Sequence, residues 1–307
     1  MLTATRLTYR INRFEIRVIL IATALSVVVS AAVIGWIRSS GYLACIVSVD
    51  APTIGCLQLQ DVGAWVTRIA TLSTQLVPFF PFLAGLLLGG PLIARELDKG
   101  TARLAWSLGP SRGRWYAQRV IPILLVVVST AMIIGLVAEQ LVALFAPDVD
   151  LANSFIGFHQ RGILVASSAL LVASIAVAIG SIVGRPVPTL VLALALGGAT
   201  LMAVAEIHQR VLAGDAVRLV EENTYANDLV VGEGRFELPD GRLLTWDELT
   251  AEDPTVFERP FDYPFVTFGI PRQRYREVET REALAHVALS IVFIGASAVV
   301  VGRRRPG

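Results

Sequence analysis

The chain has 307 residues, of which 54% are hydrophobic and only 17% are charged, and its mean hydropathy is +0.65. Soluble domains carry about 25% charged residues, so this composition excludes an ordinary soluble protein and predicts an all-α polytopic membrane protein. The formal net charge is +1, and we expect no nucleic-acid partner.

An amphipathic pattern fills residues 1–17, ahead of the first long apolar segment. Its apolar positions repeat at helical spacing, and an arginine precedes each of them: Arg6, Arg10, Arg13 and Arg17. Such a helix can lie in the headgroup layer with its arginines directed toward anionic membrane lipid. Alternatively, the arginines only fix the topology of the chain.

Six segments can each cross a bilayer, which needs about 20 mostly apolar residues per helix. They are residues 18–37, 69–93, 120–144, 163–183, 187–205 and 283–301. The first is too long and too late for a cleaved signal peptide, so we expect a permanent helix. The first five occupy residues 18–205, and the fourth and fifth form a tight hairpin because only Gly184-Arg185-Pro186 separates them.

Charge predicts the orientation of these spans. With the amino terminus inside, the inner side holds 14 of the 26 basic residues but three of the 25 acidic residues. Basic residues accumulate in cytoplasmic loops, so both termini are predicted to be cytoplasmic.

Two cysteines, Cys45 and Cys56, fall in the first external loop. A disulfide is plausible outside the cytosol, and two unpaired small hydrophobic residues are nearly as consistent with the sequence. The histidines His159, His208 and His286 are isolated in the sequence. No metal site is therefore expected.

The second span contains Pro78 and Pro81, followed by closely spaced glycines that include Gly85 and Gly89. Proline opens a helix and small residues admit a neighbouring helix. We expect a bent, tightly packed helix, whose bend either flexes during a transport cycle or is static.

A charged island, residues 95–115, lies between the second and third spans. Gly100 can end one helix and Thr101 can begin another, which predicts a short cytoplasmic helix at 101–108 that ends at Gly109-Pro110. Ser111 then suits the amino cap of the third span. We interpret the island as a docking surface, although Trp106 could instead sit among lipid headgroups.

A long external segment, residues 206–282, precedes the sixth span and the tail at 283–307. A Pro-Asp-Gly turn at 239–241 predicts two short strands, and Thr245 with Glu248 predicts a capping box that opens a short helix. We expect a small mixed extracytoplasmic segment.

Catalytic motifs are missing from the sequence. There is no Gly-x-x-x-x-Gly-Lys-Ser/Thr phosphate loop, no nucleophile elbow and no His-Glu-x-x-His motif, so we expect no enzyme activity in this chain. The ionisable residues Glu139, Glu206, His208 and His286 lie toward external helix ends, which disfavours a proton-coupled carrier.

The run Pro91 to Ser107, with Ser111-Arg112-Gly113-Arg114-Trp115 behind it, resembles the loop between the second and third helices of type-2 ATP-binding-cassette (ABC) exporter permeases. It is most similar to the small bacterial, actinobacterial-looking branch. The six-helix layout with an amphipathic amino-terminal helix is similar too. The long external segment departs from the smaller members of that family, and it either caps the exit of the pathway or is an insertion without a role in transport.

This resemblance implies a permease in the bacterial plasma membrane that dimerises and binds two ATPase subunits, which would hold ATP and Mg. The 101–108 helix would be the coupling helix. Residues that would contact the ATPase are Arg95, Glu96, Gly100, Thr101, Arg103, Leu104, Ala105, Trp106, Ser107, Arg112 and Arg114. For each arginine, topology and lipid binding remain the alternative.

The function we expect is therefore ATP-driven export of an amphipathic or hydrophobic substrate, such as a drug, a lipid-like molecule or a peptide. By the same resemblance, the second and fifth helices, with the Pro78 and Pro81 kink, would line the pathway. The alternative is a membrane-anchored scaffold or sensor whose external segment binds a ligand.

Overall fold

The computed structural model describes residues 8–47, 54–108, 111–147, 149–219, 227–253, 256 and 263–304. Within these residues, six helices are long and apolar enough to cross a membrane, which confirms the prediction of an all-α polytopic membrane protein. The chain divides into two compact units. Unit 1 comprises Met1–Pro147, Gly157–Met202 and Glu279–Gly307, and unit 2 comprises Asp148–Ile156 and Ala203–Val278.

The helices vary in length and in the connections between them. In chain order they are α1 (Arg13–Ser40), α2 (Tyr42–Val47), α3 (Ile54–Leu76), α4 (Phe80–Asp98), α5 (Thr101–Leu108), α6 (Arg112–Phe145), α7 (Gly162–Val183), α8 (Pro186–Asp215), α9 (Trp246–Glu252) and α10 (Tyr275–Arg303). The six spans are α1, α3 with α4, α6, α7, α8 and α10.

The first span begins earlier than the sequence predicts. Residues 8–11 are helical, Asn12 interrupts the helix, and α1 then runs without a break from Arg13 through the apolar segment. The Asn12 amide donates to the Thr8 carbonyl over 3.0 Å, and such local bonds compete with the helical ladder. The predicted boundary after residue 17 is therefore displaced to Asn12, and residues 1–7 of the expected amphipathic helix lie outside the described residues.

The second span is interrupted where Pro78 and Pro81 predict a bend. A single 3₁₀ turn, Val77–Phe79, separates α3 from α4. Proline removes the backbone donor that an α-helix needs, so the chain tightens for one turn before α4 begins. The span as a whole is longer than the predicted 69–93 and reaches Asp98.

Helix α7 forms the centre of unit 1, and glycines let α4 pack closely against it. A Cβ atom built on Gly85 would lie 2.8 Å from the Ala173 nitrogen, and one on Gly89 would lie 2.8 Å from the Ala173 oxygen. On the α7 side, a Cβ at Gly180 would lie 2.9 Å from the Gly90 oxygen. Because no side chain fits between these backbones, the two helices approach as closely as small residues permit.

Helices α1, α8 and α10 keep few buried residues in their apolar stretches. On α8, for example, Val187, Val191, Leu194 and Met202 are exposed. Apolar side chains exposed over such lengths suit contact with lipid or with another transmembrane chain.

Unit 2 contains a small antiparallel sheet. Its strands are β1 (Val217–Leu219), β2 (Leu229–Val230), β3 (Arg235–Glu237), β4 (Leu243–Leu244) and β5 (Phe265–Ile270). The order is β1-β5-β3-β4, and β2 also pairs with β5. Strand β5 is thus the centre of the sheet, with Val217 opposite Gly269 and Phe236 opposite Phe265.

The hairpin and capping box predicted from the sequence are both present in unit 2. Gly241 adopts the left-handed conformation at φ 84° in the turn between β3 and β4. The Thr245 hydroxyl accepts a hydrogen bond from the Glu248 N–H, while the Glu248 carboxylate accepts from the Thr245 N–H. That backbone donor lowers the pKa of Glu248, so the box stabilises α9 at neutral pH and loses this contribution as pH falls through the lowered pKa.

We expect Gly89→Val to destabilise unit 1 by about 1 to 3 kcal/mol, the usual effect of inserting atoms into a packed interior. The new side chain would overlap the Ala173 backbone. Gly35→Val is the matched control, because a Cβ at Gly35 meets nothing within 4 Å. Thermal unfolding of the detergent-purified proteins measures the difference, and equal midpoints for both variants would contradict close packing of α4 on α7.

Candidate functional site

The short helix expected between the second and third spans is α5, and the backbone conformation of Gly100 determines where it begins. Helix α4 ends at Asp98, and Gly100 takes the left-handed conformation at φ 68°. The Gly100 N–H donates to the Leu97 carbonyl over 3.2 Å, and the Thr101 hydroxyl donates to the Glu96 carbonyl over 3.3 Å. These bonds satisfy carbonyls that the end of α4 leaves open, so the chain can begin a new helix at Thr101.

One face of α5 packs against the start of α6. Ala102 is fully buried, and the Trp106 ring meets the Trp115 ring edge to face with centroids 5.6 Å apart. The Arg112 guanidinium lies 4.9 Å from the centroid of the Trp106 ring. Aromatic and cation–π contacts of this kind hold α5 in one orientation.

The opposite face of α5 is exposed. Thr101, Leu104 and Ser107, spaced three residues apart, are all exposed, and 62% of the Leu104 surface is accessible. Asp98 and Lys99, at the end of α4 and in the turn before α5, are also exposed and carry one charge of each sign. An exposed leucine flanked by polar groups is a suitable centre for a protein contact.

A buried ion pair joins the ends of α4 and α6 beneath this surface. Glu96 Oε1 lies 3.0 Å from Arg119 Nε, and both side chains are about nine-tenths buried. Arg119 Nη1 also donates to the Thr8 hydroxyl over 3.1 Å. A second pair, Arg95 with Glu15, connects α4 to α1.

The predicted contact residues differ in their exposure and in their contacts within the chain. Arg95, Glu96 and Arg112 have partners within the chain, and Ala105 and Trp106 are half-buried. The predicted residues that are exposed are Thr101, Leu104, Ser107 and Arg114. Gly100 shapes the turn, and of Arg103 only the backbone is described.

Glu15, Arg119 and Thr8 also belong to this network, although no sequence pattern had predicted them there. Glu15 is the only acidic residue among the first 60 except Asp50, and a carboxylate surrounded by arginines is a signal that could have been noticed. Ser111 does lie at the amino cap of α6, as predicted, but its side chain makes no capping hydrogen bond.

Two further predicted features lie away from α5. Cys45 and Cys56 are joined by a disulfide, with Cα atoms 5.6 Å apart. Beside the 3₁₀ turn that contains Pro78, an apolar groove of about 480 Å³ is lined by Leu25 of α1, Leu76 of α3 and Phe79 of the turn itself, among others.

Two of the histidines that are isolated in the sequence have close polar neighbours in the structure. His159 Nε2 lies 3.0 Å from Glu282 Oε1, and His286 Nδ1 lies 3.1 Å from the Ser167 hydroxyl. The partners are more than 100 residues apart in sequence, so spacing alone does not reveal them. Among the described residues, no group of three His, Cys, Asp or Glu side chains could hold a metal ion.

Comparison with known proteins gives one family. The family described as "ABC-2 membrane transporter related" matches residues 16–208, which is more than half of the chain. The match includes α2 to α7 and most of α1 and α8, whereas α9, α10 and the sheet of unit 2 lie beyond it. No curated protein matches the chain significantly.

We expect Glu96→Ala to destabilise the protein by about 3 to 5 kcal/mol, because it leaves Arg119 buried without its carboxylate. Asp98→Ala is the control, since Asp98 carries the same charge at an exposed position on the same helix. Unfolding midpoints and yields of folded protein measure the effect. If Glu96→Ala unfolds like Asp98→Ala, the buried pair does not support the base of α5.

Proposed function

The chain belongs to the ABC-2-related family of membrane transporters, and from this premise we propose that it is the permease subunit of an ATP-driven exporter. The observation that best supports this proposal is the exposed Thr101, Leu104 and Ser107 face of α5, held on a base of buried ion pairs. We propose that this face docks on a separate ATPase subunit. ATP and Mg would bind in that partner, and this chain would not itself be catalytic.

The contacts around α5 suggest how work could pass into the membrane. Gly100 joins α5 directly to α4, and the Trp106 contact with Trp115 joins it to α6. Because the Glu96 pair with Arg119 links α4 and α6, a push on α5 would displace both spans together. A flexible loop would absorb that displacement, whereas a packed helix transmits it.

A second permease copy and two ATPase subunits would complete the assembly. The proposed dimer contact is the exposed apolar face of α8, which includes Val187, Val191 and Leu194. By family resemblance the second and fifth spans would line the pathway. The apolar groove beside Phe79 and the scarcity of charge on these helices favour an amphipathic drug, a lipid-like molecule or a hydrophobic peptide as the substrate.

We propose that the end of unit 1 carrying α5 faces the cytoplasm of a bacterial plasma membrane. Arg10, Arg13 and Arg17 are exposed near the start of α1, and 71% of the Phe14 surface is exposed beside them. A basic and apolar surface of this kind suits anionic lipid headgroups. By the same topology, residues 206–282 would be extracytoplasmic.

The alternative function is a membrane-anchored sensor or scaffold. It is favoured by a polar cavity of about 380 Å³ in unit 2, lined by Asp150, Asn153, Asn227 and Arg272 among others. A sensor needs no ATPase partner, so co-purification of an ATPase separates the two functions.

The orientation can be tested with introduced cysteines, because Cys45 and Cys56 are bonded to each other. A membrane-impermeant maleimide should label Asp240→Cys in intact cells and should label Ser107→Cys only after permeabilisation. Both positions are exposed, so accessibility within the protein does not limit the reaction. Labelling of Ser107→Cys in intact cells would overturn the proposed orientation.

The docking surface can be tested at Leu104. We expect Leu104→Glu to lose most of the co-purified ATPase, because it places a charge at the centre of the apolar contact; hot-spot residues of this kind contribute about 2 kcal/mol or more to binding. Leu104→Met is the matched control that keeps an apolar side chain of similar size. Equal ATPase recovery with both folded variants would exclude the α5 face as the docking site.

A further inference from the structure

The carboxyl end of α10 is held by an arginine from the beginning of α6. Arg112 Nη1 donates to the Gly302 carbonyl over 3.1 Å and also to the Arg304 carbonyl. The last carbonyls of a helix have no partner within the helix and carry its partial negative charge. A guanidinium therefore binds there favourably, and here it comes from a residue 190 positions earlier in the sequence.

The same guanidinium contacts α5. Its carbon lies 4.9 Å from the centroid of the Trp106 ring, so one side chain touches both the docking helix and the end of the sixth span. A second tie lies one turn further into α6, where the Tyr116 hydroxyl forms a hydrogen bond with the Ser297 hydroxyl of α10.

Directly after α10, the side chain of Arg304 reaches the turn between α7 and α8. Arg304 Nη1 donates to the Ser181 carbonyl over 2.8 Å, in the last turn of α7. A Cβ atom built on Gly184 would lie 3.0 Å from Arg304 Nη2, so the guanidinium lies directly against the α7–α8 turn. Gly184 adopts the left-handed conformation there, at φ 68°.

We propose that Arg112 and Arg304 are positioning residues that clasp the end of α10 between α5 and the α7–α8 turn. We call this set of contacts the tail clasp. The inference rests on the proposed function, in which the ATPase moves α5. The tail clasp transmits this movement to α10, α7 and α8, while the direct contacts of α5 transmit it to α4 and α6. The sixth span and the helical hairpin thereby move with the docking helix.

Spin labels on α5 and α10 test whether the clasp exists. Labels at Ser107→Cys and Val299→Cys, both exposed sites, should give one narrow distance distribution by double electron–electron resonance in nanodiscs. Arg112→Ala should add a second population of distances, from molecules in which the end of α10 has detached from α5 and α6. The fraction of these molecules should rise about tenfold for each charge-assisted hydrogen bond lost. Arg303→Ala, which removes an exposed neighbouring arginine, should leave the distribution unchanged, and an unchanged distribution in Arg112→Ala would overturn the clasp.

Transmission is tested in the complex with the co-purified ATPase. An environment-sensitive fluorophore at Leu284→Cys, exposed near the other end of α10, should respond to ATP in the Arg303→Ala control. Arg304→Ala should lose this response while it retains the ATPase, and Arg304→Lys should restore part of it because lysine can still donate to the Ser181 carbonyl. A full response in Arg304→Ala would overturn the inference but not the proposed function. Failure of any ATPase to co-purify with the control would instead overturn the proposed function and transmission together, and the spin-label distances would still decide the clasp.

Discussion

The Glu96–Arg119 ion pair is the interaction on which the arrangement around α5 depends. A charge buried at the end of a membrane span is tolerated when an opposite charge and further hydrogen bonds accompany it. Arg119 meets this requirement by contacting Glu96 and the Thr8 hydroxyl at the same time. One guanidinium thus holds together the carboxyl end of α4, the beginning of α6 and the helical turn before α1. The position of α5 follows from this, because only the short turn at Gly100 separates α5 from α4.

The spans and the local signals of unit 2 could be predicted from sequence because they are short-range properties. Apolar length sets a span, and a capping box such as Thr245 with Glu248 is complete within four residues. The bounds were less accurate. Helix α8 continues ten residues beyond the predicted end at 205, since hydropathy reports where a helix becomes polar and does not report where its hydrogen bonds stop.

The roles of the arginines around α5 could not be predicted, because they depend on partners far away in sequence. Arg95, Arg112 and Arg114 are equivalent as members of a basic loop, yet Arg95 pairs with Glu15, Arg112 holds the end of α10, and Arg114 is exposed. A count of positive charges does not show which arginine only fixes the topology, which one bonds within the protein and which one is exposed on the surface. The helical spacing of Thr101, Leu104 and Ser107 was available from the sequence, but the buried face of α5 had to be known before the other face could be assigned.

The buried polar groups at the start of α10 raise the question of whether protons could move along this helix. Glu279, Glu282 and His286 are buried there, and such groups can relay protons when they continue at successive depths. They do not continue: residues 287–302 contain no ionisable side chain, which at 1.5 Å per residue is about 24 Å of helix, and α7 has none along its length. A proton could exchange at one end of these helices but has no side-chain path along them. This agrees with the proposal that work enters unit 1 at α5: the Trp106 ring of α5 contacts Arg112, and the Arg112 guanidinium binds the carboxyl end of α10.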